Sequence, residues 1–260
     1  MASYGTNVIS ILMKTGIIIQ ARLGSSRLPE KIMLPIANGI NLLQIIIDRL
    51  IQLELPIVIA TTDQPIDDKL IEYLSSRGIS FFRGPESHVL SRFIGAAETF
   101  GFDGVVRVCA DNPFIDIRYL QNLISLWSDK IDYLSHSYKN VPTVLSHFGV
   151  FAELVSLKAL KKVLLLGESN QKYFEHVTFG IYSNPGLFDI KLVDITEDLR
   201  SYDGIRLTID TKEDYLNLLK IYKQFVNDYV NLDFRTVGKW ILTQPNLLRS
   251  MKSNITNNTK

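Results

Sequence analysis

The sequence predicts an α/β fold built on a mostly parallel sheet with helices on its faces. Short runs of apolar, largely β-branched residues recur along the first half of the chain, and such runs are typical of strands buried on both faces. Each run is followed by a polar loop and then by a stretch with the apolar spacing of a helix. This repeated strand–loop–helix order is the signature of parallel strands.

The first half supplies four strands and three helices in alternation. Apolar runs predict strands over residues 17–19, 57–60, 79–82 and 104–110, and helical spacing predicts helices over residues 42–53, 66–77 and 88–100. Asn41 is the expected cap of the first helix, and Pro56 ends that segment. Pro65 opens the second helix and Gly78 stops it. Ligands in such sheets bind beyond the carboxyl ends of the strands, so the loops there are where a site is expected.

The second half is less regular. We predict helices over residues 116–127, 157–166, 173–182 and 211–225, strands over 131–134, 188–193 and 205–209, and an extended segment over 144–155. Asp233 is placed to cap a short helix that ends at Leu242. The chain divides into an N-terminal extension (1–13), one α/β domain (14–249) with a smaller lobe at about 136–200, and a polar tail (250–260) expected to be disordered.

Composition narrows the class of protein. The 260 residues are 46% hydrophobic, which allows one large core, and the net charge of +1 argues against a broad nucleic-acid or membrane surface while leaving a local basic cleft open. The single cysteine, Cys109, forms no intramolecular disulfide and fits a reducing compartment. No apolar run is long enough to span a bilayer, and the N-terminus lacks the features of a secretory signal. We therefore expect a cytoplasmic protein.

The loop after the first strand is rich in cations. The stretch from Gly16 to Lys31, GIIIQARLGSSRLPEK, holds the positive or small polar residues Arg22, Gly24, Ser25, Ser26, Arg27 and Lys31. Two interpretations stay open: an anion site, in which glycine lets the backbone turn and the cations neutralise charge, or a solvated surface loop. The stretch matches neither a P-loop nor a dinucleotide-binding motif.

Two acids follow predicted strands. Asp111 ends the run VVRVCA and Asp210 ends RLTI. Each has a purely structural alternative: Asp111 would close an Asx turn before Asn-Pro, and Asp210 or Thr211 would cap the next helix. Together, beside the cationic loop, the two acids form a more specific set, because Mg²⁺ in a phosphate site needs only one or two carboxylates plus phosphate oxygens and water.

Three further candidates remain ambiguous from the residues alone. Arg107 interrupts an apolar strand and must either form a structural ion pair or contact a ligand. Cys109 is expected to pack rather than to act as a nucleophile. The Glu175-His176 pair fits acid–base or substrate-binding work, or a structural histidine. No Cys/His spacing indicates zinc, and no Ser–His–Asp set can be assigned.

Six blocks taken together resemble a known family. IIIQARLGSSRLPEK, VIATTDQPIDDKL, FFRGPESHVLSRF, VVRVCADNPFID, EHVTFGIYSNP and RLTIDTKED occur in the order seen in the cytidylyltransferase superfamily, over about residues 16–225. The chain is most similar to the branch named after spore-coat polysaccharide biosynthesis protein F. The resemblance implies a nucleotide-diphospho-sugar transferase-like (GT-A/Rossmann-like) fold. It also implies Mg²⁺-dependent transfer of CMP from CTP to a sugar, sugar acid or similar acceptor in surface polysaccharide biosynthesis, and a homodimer.

The resemblance also assigns site residues. Catalytic roles fall on Arg22, Lys31, Asp111 and Asp210, the last two as metal ligands; nucleotide contacts on Arg22, Gly24, Ser25, Arg27, Lys31, Thr61, Thr62, Asp63 and Arg83; and acceptor contacts on Arg107, Glu153, Glu175 and His176. Two departures stand out. Glu30 replaces the usual glycine and puts an acid near the expected phosphates, and Phe151 stands where relatives often carry an aspartate.

Two alternative functions stay open. The same fold serves glycosyltransferases that use a nucleotide sugar. The departures at Glu30 and Phe151 would also suit a catalytically weak nucleotide-binding or partner module.

Overall fold

A computed structural model describes residues 13–37, 39–167, 171–195 and 199–257. Its sheet strands are β1 (Thr15–Gln20), β4 (Ile57–Thr62), β5 (Ser80–Gly84), β6 (Gly104–Cys109), β7 (Tyr133–Tyr138), β8 (Val141–Pro142), β9 (Glu153–Ser156) and β10 (Ile190–Asp194), while β2 (Pro35–Ala37) and β3 (Ile40–Asn41) form a separate hairpin. The helices are α1 (Leu42–Leu50), α2 (Asp68–Ser75), α3 (Val89–Phe100), α4 (Ile117–Leu126), α5 (Leu157–Leu166), α6 (Gln171–Glu175), α7 (Phe179–Tyr182), α8 (Lys212–Phe225), α9 (Phe234–Leu242) and α10 (Pro245–Asn257).

The main sheet is mixed but mostly parallel. Its strand order is β10-β7-β9-β6-β1-β4-β5, with β8 paired to β7. Strands β5, β4, β1 and β6 are parallel neighbours, and β7 and β10 form a second parallel pair. Strand β9 joins the two groups by running antiparallel to β6 and to β7. The predicted α/β class with a mostly parallel sheet is therefore confirmed.

Helices cover both faces of the sheet. Alternate side chains of β1 show why: Ile17 and Ile19 pack in one apolar core with α1, α2, α4, α8 and α9, while Ile18 packs in another with α3 and α5. A strand that is buried on both faces reads as a continuous apolar run rather than as an alternation. Among the described helices, none is both long and apolar enough to cross a bilayer.

Caps predicted from the sequence fix several helix starts. The Asn41 side chain accepts a hydrogen bond from the Gln44 N–H, and the Asp233 side chain accepts one from the Thr236 N–H. Thr211 and Asp214 form a reciprocal capping box at the start of α8. Because Thr211 is the cap, the Asp210 carboxylate is not needed there.

Three element predictions are wrong. Residues 173–182 form α6 and α7 with a break between them, since Val177 is buried and the Thr178 hydroxyl donates to Glu153 at the break. Residues 205–209 are extended but form no strand, because single backbone bonds to Phe148 and Asp111 replace a ladder.

The third correction concerns the predicted disordered tail, whose residues 250–257 belong to α10. That helix buries Leu247 and Met251, and its Asn254 donates to Asp214 at 2.9 Å. Polar composition misled here because the polar side chains bond the start of α8. The predicted extension over residues 1–13 lies outside the described residues except for Met13.

Candidate active site

Three adjoining clefts open at the carboxyl ends of β1, β4 and β6. The first cleft, about 730 Å³, lies between the loops after β1, β4 and β5 and reaches α6; the second, about 240 Å³, lies under the cationic loop; the third, about 550 Å³, lies on the β9 side. Cys109, the last residue of β6, lines all three, so the clefts form one connected site. A cleft at this edge is where parallel sheets bind ligands.

The second cleft brings together the cationic loop and both predicted metal acids. The Lys31 ammonium lies 3.3 Å from Asp210 Oδ1 and 3.5 Å from Asp111 Oδ2, and it donates to the Ile209 carbonyl at 2.8 Å. Arg27 reaches the same Asp210 Oδ1 at 3.1 Å. The geometry shows that the acids and the loop share one site, although they lie far apart in sequence.

A buried arginine orients Asp210 from behind. Arg206 Nη2 lies 2.5 Å from Asp210 Oδ2, and its Nε lies 3.3 Å from Asp214 Oδ1. Asp210 therefore turns Oδ1 toward the cleft. Sequence reasoning missed Arg206, although a signal existed: Arg206, Thr208 and Asp210 alternate with buried Ile205, Leu207 and Ile209.

The base of the cationic loop is held by a buried carboxylate. Asp67 accepts hydrogen bonds from the Leu23 N–H at 2.7 Å, from the Thr61 hydroxyl at 3.1 Å and from the Thr62 N–H at 3.2 Å; the Thr62 hydroxyl donates to it as well. Thr61 and Thr62 are buried and line none of the three clefts, so their hydroxyls hold the loop rather than face a ligand. Of the three predicted nucleoside contacts, only Asp63 lines the first cleft.

The backbone of the cationic loop turns at Glu30 rather than at Gly24. Glu30 has φ 52°, in the left-handed region that favours glycine, whereas Gly24 has no positive φ. The Glu30 carboxylate lies 3.0 Å from Lys69 on α2 and does not line the second cleft. The Glu30 carboxylate therefore points away from the Arg27 and Lys31 side chains of the second cleft. Ser25, Ser26 and Arg27 line the cleft as expected, and Gly24 does not.

An ion pair crosses the mouth of the first cleft. Arg22 Nη1 lies 2.7 Å from Glu86 Oε1, joining the loops after β1 and β5, with both side chains nearly half exposed. Arg83 lies outside the clefts and fixes a neighbouring loop instead, since it donates to the Thr62 and Gln64 carbonyls and pairs with Asp68 at 2.8 Å. Glu86 was missed because its sequence context is that of an ordinary polar turn.

The third cleft is built around a buried ion pair. Arg107 Nη1 lies 2.6 Å from Glu153 Oε1, and the two side chains are 11% and 1% exposed. Glu153 also accepts from the Thr178 hydroxyl at 2.8 Å and from the Tyr133 hydroxyl. The structural and ligand-binding interpretations of Arg107 thus coexist: it is paired, and it lines both the first and the third clefts.

Electrostatics keep this network in one protonation state. Burial alone would lower the pKa of Arg107, but Cys109 and Glu153 nearby raise that pKa overall. Burial, with Glu153 adding to it, raises the pKa of Tyr133 well above its usual value and that of Tyr182 to about 12. The arginine is therefore charged and both phenols are neutral at physiological pH.

The rest of the third cleft is an apolar wall with scattered polar groups. Phe151 lines it and is fixed by Tyr119, Phe148 and His136, with ring centroids 4.9–6.2 Å away. Val144, Leu145, Ala152, Phe179 and Tyr182 complete the apolar wall. His176 lines both the first and third clefts, whereas Glu175 lines the first.

One glycine allows the wall of the third cleft to pack closely against the segment that carries Asp210. Gly149 has φ 71°, and a Cβ there would lie 2.6 Å from the Thr208 backbone nitrogen. Only glycine permits this approach. The segment that carries Asp210 is thereby seated against the loop that carries Phe151.

The second cleft suits a divalent cation that is coordinated by the two carboxylates together with a bound phosphate. Asp111 Oδ2 and Asp210 Oδ1 converge on one cation, the Lys31 ammonium, which shows that the two oxygens are placed to share a positive charge. Within the described ranges, no group of three or more His, Cys, Asp and Glu side chains could hold a metal. Two carboxylates suffice for Mg²⁺ only when phosphate and water supply the other ligands.

Comparison with known proteins places this site in context. A family model described as cytidylyltransferase matches residues 16–235. The chain is 33% identical over 213 residues to the spore coat polysaccharide biosynthesis protein SpsF of Bacillus subtilis (strain 168), covering 80% of this chain and 85% of SpsF.

Solved structures agree in fold. A cytidylyltransferase from Leptospira borgpetersenii superposes with a TM-score of 0.79 at 29% identity, covering 91% of this chain and 97% of that one. A CMP:2-keto-3-deoxy-manno-octonic acid synthetase complexed with CTP superposes with a TM-score of 0.60 at 16% identity, covering 81% and 99% of the two chains. The second likeness bears on the fold alone.

Proposed function

Since the chain belongs to the cytidylyltransferase family and is a nucleotidyltransferase, we propose that it transfers CMP from CTP to a sugar, sugar acid or similar alcohol and releases pyrophosphate. The observation that carries the proposal is the second cleft, where Arg27 and Lys31 meet Asp111 and Asp210 beside the larger first cleft. The cytidylyltransferase description of the matching family model supports the choice of nucleotide, and the name of SpsF, a spore coat polysaccharide biosynthesis protein, supports the choice of pathway.

We assign the triphosphate to the second cleft and the nucleoside to the first. Arg22, Ser25, Arg27 and Lys31 line the second cleft and supply the positive charge and hydroxyl that phosphate oxygens require. The first cleft has three times the volume and carries Asp63 and Gln64 at its wall, which suits a base and ribose. Arg22 lines both clefts, so it is placed to leave its ion pair with Glu86 and bind the phosphates instead.

The metal is proposed to be Mg²⁺, held by Asp111 and Asp210. When bound there with the nucleotide, it would neutralise charge on the reacting phosphate. Arg206 keeps Asp210 aimed at the cleft, and the Asp111 carbonyl accepts from the Ile209 N–H at 2.8 Å, so the two acid-bearing segments are tied together. The protein thus holds both acids in place before a ligand arrives.

The acceptor is assigned to the third cleft. An acceptor hydroxyl oxygen attacks the α-phosphorus of CTP in line, the bond from that phosphorus to the bridging oxygen breaks, pyrophosphate leaves, and the hydroxyl proton is released to the medium. Arg107 and His176 line the wall that the first and third clefts share, which is where the α-phosphate and the acceptor would meet. Positioning and charge stabilisation account for such a transfer without a covalent enzyme intermediate.

Asp111→Asn tests the metal half of this proposal. The change keeps the side-chain shape and removes one carboxylate, so turnover measured as pyrophosphate release should fall by at least about 100-fold, in the range lost with one key electrostatic group. Asp203→Asn is the matched control, because Asp203 is partly exposed, pairs with Lys139 and lines none of the clefts. Wild-type rates in Asp111→Asn would contradict the assignment.

We further propose a cytoplasmic homodimer in which the lobe at about residues 136–200 contributes to the interface. The resemblance supplies the dimer, and the single cysteine fits a reducing compartment. Light scattering of the purified protein at micromolar concentration tests the dimer: a monomeric mass would refute it.

A further inference from the structure

The two acids of the second cleft are already neutralised by the protein. Asp111, Asp210 and Asp214 face Lys31, Arg27 and Arg206, and the six side chains together carry no net charge. Lys31 and Asp210 are largely buried, with side-chain exposures of 14% and 6%. At a buried position these attractions are screened little by solvent.

The Lys31 ammonium occupies the position that both carboxylates face. Its distances to Asp210 Oδ1 and Asp111 Oδ2 differ by little, and it also donates a hydrogen bond to the Ile209 carbonyl at 2.8 Å. A divalent cation approaching the same two oxygens would meet one ammonium at contact distance and the Arg27 guanidinium at 3.1 Å from Asp210. Like charges at such separations repel strongly where solvent screening is weak.

We propose that Lys31 is an exchangeable counter-ion that excludes the metal until a triphosphate draws the lysine away. Phosphate oxygens in the second cleft offer Lys31 and Arg27 a more highly charged partner than a carboxylate. Once both cations turn to the phosphates, Asp111 Oδ2 and Asp210 Oδ1 lose the cations that face them in the cleft and accept the metal, while Arg206 stays paired with Asp210 Oδ2. The metal and the nucleotide therefore enter together, and the protein without nucleotide binds divalent cations weakly. This rests on the proposed function for the identity of the triphosphate, but the exclusion itself does not.

The exclusion predicts a gain of binding on removal of a side chain. Lys31→Met keeps most of the length of the side chain and removes the ammonium charge, so the protein alone should bind Mn²⁺ at least tenfold more tightly than wild type. Arg27→Met should give a smaller gain, because Arg27 touches one acid and its side chain is half exposed. Lys69→Met, which removes an exposed lysine paired with Glu30, is the matched control and should leave Mn²⁺ binding at the wild-type level.

The measurement is titration of each variant with Mn²⁺ alone, following loss of the aqueous Mn²⁺ signal by electron paramagnetic resonance. Adding Asp111→Asn to Lys31→Met should abolish the gain, which localises it to the two acids. Circular dichroism melts establish that each variant is folded. If Lys31→Met does not fold, Arg27→Met is used for the test instead. Tight Mn²⁺ binding by the wild type, or no gain in either folded single variant, overturns the proposal. Because no nucleotide is present, neither result depends on whether CTP is the substrate; separate titration with CTP tests that.

Discussion

Replacing Glu153 by glutamine should destabilise the protein strongly. The change keeps the shape of the side chain but leaves the Arg107 guanidinium, itself 11% exposed, without its negative partner. Breaking a buried pair by removing one charge costs about 3–5 kcal/mol, a large share of the roughly 5–15 kcal/mol that stabilises a typical native protein. The hydrogen bonds from Thr178 and Tyr133 weaken as well, since an amide offers one acceptor oxygen instead of two.

Urea unfolding measures this loss. With an m-value of about 3 kcal/mol/M, the midpoint should fall by at least about 1 M. In the double variant Arg107→Met/Glu153→Gln the uncompensated charge is gone, so it should be more stable than Glu153→Gln alone by at least about 1 kcal/mol. A single variant within about 1 kcal/mol of wild type, or a double variant that is the least stable of the set, would refute a buried, energetically coupled pair.

Two further substitutions probe single side chains. Glu30→Gly removes a left-handed residue at φ 52° and an exposed pair with Lys69, so the free energy of unfolding should change by less than about 1 kcal/mol, since the strain relieved and the backbone entropy lost nearly offset. CTP affinity measured by calorimetry should stay within about twofold, because the Glu30 carboxylate pairs with Lys69 and does not line the second cleft. Glu30→Ala, which keeps the strain, should be less stable than Glu30→Gly, and a higher stability would contradict the backbone explanation. Burial lowers the pKa of His136 from 6.5 to about 4, so the unfolded chain binds the extra proton between these values and stability falls as the pH drops through that window, by at most about 3 kcal/mol. His136→Gln should flatten the dependence of urea-unfolding free energy on pH over that range, and an unchanged slope would show that His136 is not the titrating group.

The elements of the first half were predictable because their patterns are local. Buried parallel strands such as β1 read as uninterrupted apolar runs, and Asn41 carries a cap signal within its own turn. The second half defeated the same rules where distant partners decide the conformation. The break between α6 and α7 is set by the bond from Thr178 to Glu153, and the helical tail by the bond from Asn254 to Asp214.

The site shows the same division. The residue types in the cationic loop and the two acids after strands were enough to predict that these side chains share one cleft, and the structure brings Lys31, Asp111 and Asp210 together. The partners that orient them were missed: the alternation around Arg206 marks it as a side chain on the face that carries Asp210, but its pair with Asp210 and the bonds of Asp67 are contacts that the sequence pattern alone does not specify. The sequence placed an acid, Glu30, near the expected phosphates. In the structure its carboxylate points to Lys69, so its orientation keeps that charge out of the second cleft.

The roles of the nucleoside residues changed for a similar reason. Threonines at the end of a strand are consistent with ligand contact in sequence, but Asp67, at the end of the short 3-10 helix Pro65–Asp67, accepts hydrogen bonds from both hydroxyls. A buried carboxylate must accept hydrogen bonds from several donors. The two threonine hydroxyls are therefore used to satisfy Asp67 and not to contact a ligand. Thr61 and Thr62 are thus expected to affect nucleotide affinity through the loop they hold.

The most direct test of the central claim is a pyrophosphate-release screen. Each of the four nucleoside triphosphates and, in a parallel arm, each of a set of nucleotide sugars is combined with sugar acids, sugars and phosphorylated alcohols, with and without Mg²⁺, and products are identified by mass. We expect pyrophosphate release only when CTP, Mg²⁺ and an acceptor are all present, with a CMP-linked product. Formation of a glycoside from a nucleotide sugar, with release of a nucleoside diphosphate, would contradict it in favour of a glycosyltransferase. CTP binding without release over the whole acceptor set would contradict it in favour of a nucleotide-binding module.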